Sequence, residues 1–337
     1  FSEGLNDNFL MILLFISSFT MFMAGLVANF DYDLKKIIAF STLSQLGLML
    51  SILSLGETKL AFFHLLMHAL FKALLFMCAG FMIHSMMNCQ DIRFMGSMVK
   101  FIPLTSSFFN ICNLSLCGLP FLSGFYSKDL ILEFMSMSYT NFYIYMIFYI
   151  STGLTVMYTF RLMYYTMVGD LNVSSYFSLI ESSDSMLKGM GGLIFLVIFG
   201  GSIMIWFIFP TPYMVCLPLG MKLMVLLIIL LGSYLGYLIS LYSYNNSSKT
   251  LFYYDLSFFI TTIFNLNFLS TFGVTYYFLN FGNKYNFLLD QGWSEYYGSY
   301  NIYNLMKKTS LFLEELFFNN IKIFLFLFLI WICVLFI

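Results

Sequence analysis

Long apolar segments separated by short polar ones run through the whole chain. A helix needs about 20 apolar residues to cross a hydrocarbon core of about 30 Å. Eight segments meet or approach that length, at 9–30, 37–55, 60–84, 101–138, 141–168, 190–209, 221–241 and 321–337. The pattern predicts an all-α polytopic membrane protein with about eight transmembrane helices.

The fourth segment differs from the others, because 38 residues at about 1.5 Å each are too many for one plain helix across the membrane. It is interrupted at 118–120 by Gly-Leu-Pro and again by Gly124, and proline and glycine both weaken a helix. Polar residues follow, namely Ser127, Lys128, Asp129 and Glu133. Broken helices mark ion sites in transporters, so we predict one here. The alternative is a simple proline kink with charges at the membrane surface.

The region 251–318 is rich in aromatic residues and carries scattered charges and glycines, but it contains no clean membrane span. We interpret it as helices that lie along the membrane surface or along neighbouring proteins. One or two poor transmembrane helices are the alternative. A polar break at 244–250 precedes it. These shifts in composition divide the chain into regions 1–168, 169–250, 251–318 and 319–337.

Composition supports the membrane class and excludes several others. Of 337 residues, 61% are hydrophobic and 9% are charged, whereas about 25% are charged in soluble domains. The net charge of −1 argues against a nucleic-acid partner. The six cysteines form no CxxC pair, so neither zinc nor an iron–sulfur cluster is indicated. We interpret them as small hydrophobic residues and predict no metal site.

The basic residues between the spans predict an orientation. With eight crossings, one side of the membrane collects nine of them, namely Lys35, Lys36, Arg93, Lys100, Lys188, Lys249, Lys284, Lys307 and Lys308. The other side collects Lys59 and Lys222. Because basic loops stay on the inner side, the first side is predicted to be inner. Region 251–318 would then lie inside and the C-terminus outside.

The third segment places three basic residues in the middle of an apolar run. His64, His68 and Lys72 follow one another at four-residue steps, so they share one helix face. A lysine at mid-bilayer costs roughly 2.5–3.5 kcal/mol on the insertion scale, and such residues commonly line ion or proton paths. Histidine exchanges protons near neutral pH. We therefore predict a proton path along this face.

Two other places supply polar groups for such a path. The second segment begins with Ser41, Thr42, Ser44 and Gln45, so this face should pack against protein or a hydrated path. Plain helix–helix hydrogen bonding is the alternative. Lys128 with Asp129 is a second candidate proton site, and Asp129 shares a helix face with Glu133. We find no glycine-rich phosphate loop, nucleophile–base pair or haem-ligand pattern, so redox chemistry is not indicated.

Several motifs resemble the antiporter-like subunits of respiratory complex I. They are DLKKIIAFSTLSQLGLM at 33–49, HLLMHALFKALLF at 64–76, GLPFLSGFYSKD at 118–129 and RLMYYTMVGDLN at 161–172. The resemblance covers essentially the whole chain and is strongest up to about residue 245. A composition rich in Phe, Tyr and Met is similar to that of arthropod members.

The resemblance implies specific roles. Lys72 would be the lysine of the central hydrophilic axis, with His64 and His68 as its histidine relay. Lys128 would be the lysine of the broken helix nearest the proton exit, with Asp129 beside it. Region 1–168 would be the C-terminal half of the proton-translocation core, and 251–318 would contain the lateral helix. The family has sixteen transmembrane helices, so we expect a C-terminal fragment that lacks the proton-uptake half.

The resemblance also implies the biological setting. The chain would be a multi-pass protein of the mitochondrial inner membrane, in contact with lipid and with other membrane-arm subunits, especially neighbouring antiporter-like ones. It would translocate protons coupled to NADH oxidation and ubiquinone reduction elsewhere. It would bind no cofactor, since NADH, FMN, the iron–sulfur clusters and ubiquinone belong to other subunits.

Two other functions fit parts of the sequence. A cation/proton antiporter subunit shares the core motifs, but it should carry several further spans and a soluble domain in place of a surface helix and one last span. A structural scaffold with vestigial charges would require inert residues at His64, His68, Lys72 and Lys128.

Overall fold

The computed structural model describes residues 4–138, 141–173, 179–181, 184–212, 214–242, 254–319 and 321–336. Regular elements within these residues are all helices, and one isolated bridge pairs Asp33 with Asp91. The all-α prediction is confirmed. The chain divides into two units, Phe1–Phe264 and Asn265–Ile337. The polar break at 244–250 and the predicted boundary at 250/251 lie outside the described residues.

The described residues of the first unit form ten α-helices. They are α1 Asp7–Phe30, α2 Leu34–Ser54, α3 Thr58–Ser85, α4 Met98–Phe101, α5 Pro103–Cys117, α6 Ser123–Met137, α7 Phe142–Met163, α8 Asp184–Ile208, α9 Leu219–Tyr242 and α10 Tyr254–Thr261. A π-helical turn, Tyr164–Val168, continues α7, and a short 3₁₀ helix, Ile92–Phe94, follows α3. Helix α3 packs against α2, α5, α6 and α8, and α7 packs against α1, α5 and α9.

Six described helices are long and apolar enough to cross a membrane. These are α1, α2, α3, α7 with its π turn, α8 and α9. They correspond to six of the eight predicted segments. The other two segments form shorter helices, namely the pair α5 and α6 and the terminal helix α14, Ile321–Leu335. Helix α14 is about 22 Å long, which is shorter than a hydrocarbon core of about 30 Å.

The fourth segment is broken at Gly118 as predicted, but not at Gly124. Helix α5 ends at Cys117, Gly118 adopts a left-handed conformation with φ of 81°, and α6 begins at Ser123. Gly124 was expected to be a second break and instead lies inside α6. Its role is close packing, because a Cβ atom there would stand 1.8 Å from the Ser115 carbonyl oxygen.

The described residues of the second unit form a long helix and α14. The long helix runs over Leu266–Leu316. It contains α11 Leu266–Phe268, α12 Val274–Tyr285 and most of α13 Asn301–Asn319, with π-helical turns at Leu269–Gly273, Asn286–Ser294 and Tyr296–Tyr300 between them. The backbone is non-helical at Gly298, with φ of −87° and ψ of −112°, so the helix is kinked there. The stretch 266–297 before the kink is about 48 Å long, which exceeds a hydrocarbon core of about 30 Å. The lateral course of region 251–318 stays a prediction.

Candidate functional site

Lys72 lies near the middle of α3 and is 4% exposed. Its ammonium donates a hydrogen bond to the hydroxyl oxygen of Ser41 on α2. The Ser41 hydroxyl donates its own hydrogen to the Ile38 carbonyl over 2.7 Å. Ion pairs among the described residues join Lys36 to Asp33 and Arg93 to Asp91, and none involves Lys72. Among the described residues, the Lys72 ammonium therefore bonds to a hydroxyl group and forms no ion pair with a carboxylate.

His64 joins three helices through its two ring nitrogens. Nδ1 is 2.9 Å from the Ser127 hydroxyl on α6, and Nε2 is 3.2 Å from Oε1 of Gln45 on α2. An amide oxygen only accepts, so with this Gln45 orientation Nε2 carries the hydrogen. In the neutral ring Nδ1 then accepts the single Ser127 hydrogen, for which the Gly124 carbonyl at 3.3 Å is the competing acceptor. The imidazole thereby connects the polar face of α2 to the broken helix.

His68 lies one turn from His64, but it makes no comparable bridge. Its ring centre is 6.4 Å from that of His64, and it meets the Phe71 ring edge-on at 5.4 Å. Its Nε2 atom is buried and has no hydrogen-bond partner among the described residues. The three basic residues of α3 follow one another as predicted, but in the described part of the chain only His64 and Lys72 bond to α2.

Lys128 is also 4% exposed, and the break in the helix supplies its partners. Its ammonium donates to the Leu116 carbonyl at 3.3 Å and to the Thr155 hydroxyl on α7 at 2.8 Å. Leu116 lies in the last turn of α5, where carbonyl groups lack intrahelical partners. The C-terminus of a helix carries partial negative charge, which stabilises the ammonium.

Asp129 does not share the surroundings of Lys128. The two residues are consecutive on α6, so their side chains diverge by about 100°. Asp129 is half-buried, and the charged groups that act on it are Glu133 and Lys222. The described residues contain no ion pair between Lys128 and Asp129. The structure thus brings Asp129 to Glu133, as the spacing predicted, and does not bring it to the lysine.

The polar face of α2 is largely confirmed as packing against protein. Ser41, Ser44 and Gln45 are buried, whereas Thr42 is partly exposed and donates to the Ala39 carbonyl of its own helix. Ser41 and Gln45 are one helical turn apart, about 6 Å. The face therefore holds the partners of Lys72 and His64 side by side.

Helix α7 contributes hydroxyl groups that the sequence analysis missed. Thr155 binds Lys128, and the Thr159 hydroxyl lies 2.8 Å from the Cys117 thiol of α5. Tyr158 is buried beside them. Scattered hydroxyl residues in an apolar span give a weak signal, but the i, i+3, i+4 spacing of 155, 158 and 159 places them on one face.

Arg161, which the sequence analysis noted only as part of a motif, lies in the last turn of α7. It is buried, donates to the Asn29 carbonyl and lies over the Tyr32 ring at 4.7 Å. Arg93 contacts the same ring at 4.4 Å. Nearby, burial raises the pKa of Asp31 in the α1–α2 turn. The Lys36 ammonium instead lowers the pKa of Asp33, with which it forms a hydrogen-bonded pair.

The cysteines only partly match the expectation of buried hydrophobic residues. Cys78, Cys112 and Cys117 are buried, whereas Cys216 and Cys333 are exposed in the chain. Among the described residues, no group of three or more His, Cys, Asp or Glu side chains could hold a metal ion.

Two family models together match almost the whole chain. Residues 2–155 match the membrane domain described as NADH:quinone oxidoreductase/Mrp antiporter, and residues 158–337 match the C-terminus of NADH dehydrogenase subunit 5. The second match covers more than half of the sequence. The chain belongs to the NADH dehydrogenase subunit 5 family.

Individual relatives of this chain are named NADH-ubiquinone oxidoreductase chain 5. Those of Anopheles quadrimaculatus and Locusta migratoria are 52% and 51% identical over 96% of this chain. That of Dugong dugon is 39% identical over 72%. The chain spans 56% of the length of the Anopheles quadrimaculatus protein and 57% of that of Locusta migratoria.

Two solved membrane complexes contain chains with the same fold. The archaeal membrane-bound sulfane sulfur reductase matches with a TM-score of 0.53 and 27% identity, over 58% of this chain and 32% of the other. The Mrp complex of Dietzia sp. DQ12-45-1b matches with a TM-score of 0.57 and 20% identity, over 69% of this chain and 27% of the other. At that identity the Mrp likeness concerns the fold alone.

Proposed function

We propose that this chain is the C-terminal part of a core membrane-arm subunit of respiratory complex I and that it translocates protons. The observation that carries the proposal is the pair of buried lysines, Lys72 and Lys128, on helices joined through His64. Each ammonium is held by neutral oxygen atoms rather than by a described carboxylate. Family membership makes complex I the natural setting.

The hydrogen bonds suggest an order for the path. Lys72 binds Ser41, and Gln45 one turn further along α2 binds His64. His64 then binds Ser127, which immediately precedes Lys128 on α6. The hydrogen bonds are direct side-chain contacts, whereas two steps are not. Ser41 and Gln45 are one turn apart on α2, and Ser127 and Lys128 are consecutive on α6, so their side chains diverge by about 100°. His68 and Asp129 flank this path, and we assign them auxiliary roles in positioning charge.

The surroundings of Lys72 and Lys128 suit groups whose proton affinity responds to charges elsewhere in the complex. An ammonium neutralised by an adjacent carboxylate is held in one protonation state, whereas one bound to hydroxyl oxygens is sensitive to charges that move nearby. Moving one proton against about 100 mV requires about 2.3 kcal/mol. A change in lysine proton affinity equal to two pKa units supplies about 2.7 kcal/mol.

The setting that follows is the mitochondrial inner membrane. Electron transfer from NADH to ubiquinone would occur in other subunits, which would bind NADH, FMN, the iron–sulfur clusters and ubiquinone, while this chain binds no cofactor. Region 251–318 would contact neighbouring antiporter-like subunits through its long helix. The enzyme class would be that of an H⁺-translocating NADH:ubiquinone reductase, without redox chemistry in this chain.

A cation/proton antiporter subunit is the second candidate. The description of the matched membrane domain names the Mrp antiporter alongside the quinone oxidoreductases, and an Mrp complex shares the fold. The match of residues 158–337 to the subunit 5 C-terminus favours complex I. The long helix followed by the single short helix α14 also agrees with that assignment.

Replacement of each lysine by methionine in the full-length chain tests the proposal. Methionine fills a similar volume but binds no proton, so Lys72→Met and Lys128→Met should each lower the protons moved per electron by about half or more. The measurement is NADH-driven proton uptake against NADH oxidation by the assembled complex in proteoliposomes.

Lys36→Met is the matched control, because Lys36 is exposed and lies in a surface ion pair with Asp33. It should leave the ratio unchanged. A normal ratio in both buried-lysine variants would contradict the proposal. Proton movement that depends on a sodium or potassium gradient and not on NADH would favour the antiporter.

A further inference from the structure

Arg161 carries a buried positive charge that the path described above does not use. It is 3% exposed and donates to the Asn29 carbonyl, and the centres of the Tyr32 and Tyr165 rings lie 4.7 and 5.8 Å from its guanidinium carbon. No ion pair among the described residues involves it, and Asp31 acts on it from beyond ion-pair distance. A guanidinium keeps its proton in proteins, so the charge is permanent. Burial of such a charge is costly, so its presence needs an explanation other than stability.

The guanidinium lies at the loop end of the helices that hold the two path lysines. On α7, Arg161 follows Thr155, the partner of one lysine, by about 9 Å along the helix. On α2, Ser41 is the partner of the other lysine and lies about 10 Å from the first residue of the helix. Tyr32, which Arg161 contacts, precedes that first residue. The charge thus stands on the route that runs along α2 and α7 from the lysines to the loops at this end.

Three stretches of chain, 31–34, 90–97 and 169–172, are tied together at this end and form what we call the loop layer. Backbone N–H groups donate across it from Leu34 to Gln90 at 3.0 Å, from Ile92 to Tyr32 at 3.0 Å and from Ser97 to Gly169 at 2.8 Å. A Cβ atom at Gly96 would stand 2.0 Å from the Asp170 carbonyl oxygen, so the layer is closely packed there. Arg161 contacts the first of these stretches from the buried side, through Tyr32.

We propose that Arg161 is an electrostatic barrier that prevents protons from crossing between the lysine path and the membrane side of the loop layer. A fixed positive charge in low-dielectric surroundings repels a proton that approaches along polar groups or water. Protons that reach the lysines therefore leave at the other end of the path and do not leak back through the loop layer. The residue determines the direction of proton movement. The inference rests on the proton-translocating function proposed above.

Arg161→Gln in the full-length chain within the assembled complex tests the inference. Proteoliposomes without NADH receive a potassium diffusion potential of either sign through valinomycin, and the proton flux per complex is measured above that of protein-free liposomes. Glutamine still donates a hydrogen bond but carries no charge, so we expect this passive flux to rise at least about tenfold. A flux equal to that of the unmodified complex would overturn the proposal.

Arg161→Lys separates the charge from the shape of the side chain. Lysine keeps the positive charge but loses the planar group that lies over the Tyr32 ring. Measured at about pH 6 to keep the lysine protonated, its flux should stay close to that of the unmodified complex. A rise equal to that in Arg161→Gln would indicate a packing role and would overturn the proposal.

Arg93→Gln is the matched control. Arg93 lies over the same Tyr32 ring at 4.4 Å, but its side chain is exposed and forms an ion pair with Asp91 at 3.5 Å. Its replacement should leave the passive flux unchanged. A rise equal to that in Arg161→Gln would indicate general loosening of the loop layer and would also overturn the proposal.

A second pair of variants serves if Arg161→Gln prevents assembly. Tyr32→Glu places a carboxylate beside the guanidinium and neutralises its charge without removing it, whereas Tyr32→Gln has a similar size and no charge. The glutamate variant should show several times the passive flux of the glutamine variant. Equal fluxes would overturn the proposal.

A double variant shows whether the leak uses the lysine path. Lys72→Met added to Arg161→Gln should return the passive flux close to that of the unmodified complex. A flux that stays high would show that protons bypass the lysines and would contradict the inference.

The measurements distinguish failure of this inference from failure of the proposed function. A low ratio of protons to electrons in Lys72→Met, together with an unchanged passive flux in Arg161→Gln, would remove only the barrier. Normal ratios in Lys72→Met and Lys128→Met would remove proton translocation through this chain and the inference with it.

Discussion

At the scale of single residues, the two buried lysines use the same chemical solution. Lys72 is held by a serine oxygen, and Lys128 by a threonine oxygen and a helix-end carbonyl. Neutral oxygen atoms stabilise an ammonium without fixing its charge as an adjacent carboxylate would. The arrangement suits a group that must gain and lose a proton in each cycle.

Thr155→Val tests the environment of Lys128. Valine keeps the shape of the side chain but removes the oxygen that accepts from the ammonium over 2.8 Å. The Leu116 carbonyl stays in place, so we expect a smaller fall in protons moved per electron than in Lys128→Met. The measurement is again proton uptake per NADH oxidised in proteoliposomes.

Thr152→Val is the control for that experiment. Thr152 is buried one turn away on α7, and its hydroxyl donates only to the Tyr149 carbonyl of its own helix in the described hydrogen bonds. It should leave the ratio unchanged. A greater effect at Thr152 than at Thr155 would show that the Lys128 contact is unimportant.

At the scale of elements, the broken helix places the second lysine. Helix α5 ends where its last carbonyl groups meet the Lys128 ammonium, and α6 then begins at Ser123. The start of α6 is closely confined, because a Cβ atom at Gly124 would lie 1.8 Å from Ser115, and one at Gly201 of α8 would lie 2.6 Å from the Ser123 Cα atom. Close packing against α5 and against α8 thus fixes the start of α6 and, with it, the position of Lys128.

Gly124→Ala should therefore disturb α6 strongly. The added methyl group would meet backbone atoms rather than a flexible side chain, so α5 and α6 must separate. We expect a loss of about 2 kcal/mol or more in stability, seen as a lower melting temperature and less assembled complex. The measurement is thermal unfolding of the solubilised complex, together with its yield.

Gly80→Ala is the corresponding control on α3. A Cβ atom at Gly80 meets nothing within 4 Å, and alanine is the better helix former by about 1 kcal/mol. Stability should be unchanged or slightly higher. Equal destabilisation by both substitutions would refute the special role of the close approach at Gly124.

At the scale of the whole molecule, the basic residues predict which side each loop faces. In sealed vesicles with the outer face exposed, an impermeant amine reagent should label Lys59 and Lys222. In inverted vesicles it should label Lys100 and Lys284 instead. All four side chains are exposed in the chain. The side of the membrane on which each lysine lies should therefore decide whether it is labelled. Peptide mass spectrometry reads the labelled sites, and the reverse pattern would contradict the orientation.

Much of the architecture could be predicted from the sequence because hydrophobic length is a local property. Six predicted spans, the break at Gly118 and the polar face of α2 all follow from residues close together in the chain. The basic residues of α3 could be recognised as candidates for the same reason, since a charge in an apolar run is visible without knowledge of its neighbours.

The partners of those residues are what the tertiary structure decided. Sequence adjacency suggested Asp129 for Lys128, but the α-helical rotation turns the aspartate away, and Thr155 from another helix takes its place. Gly124 looked like a break and proved to be a packing contact. The sequence by itself determined where helices form and where charge is buried, because those depend on local hydrophobicity. Only the packing of the helices decided which groups share hydrogen bonds, because that depends on residues far apart in the chain.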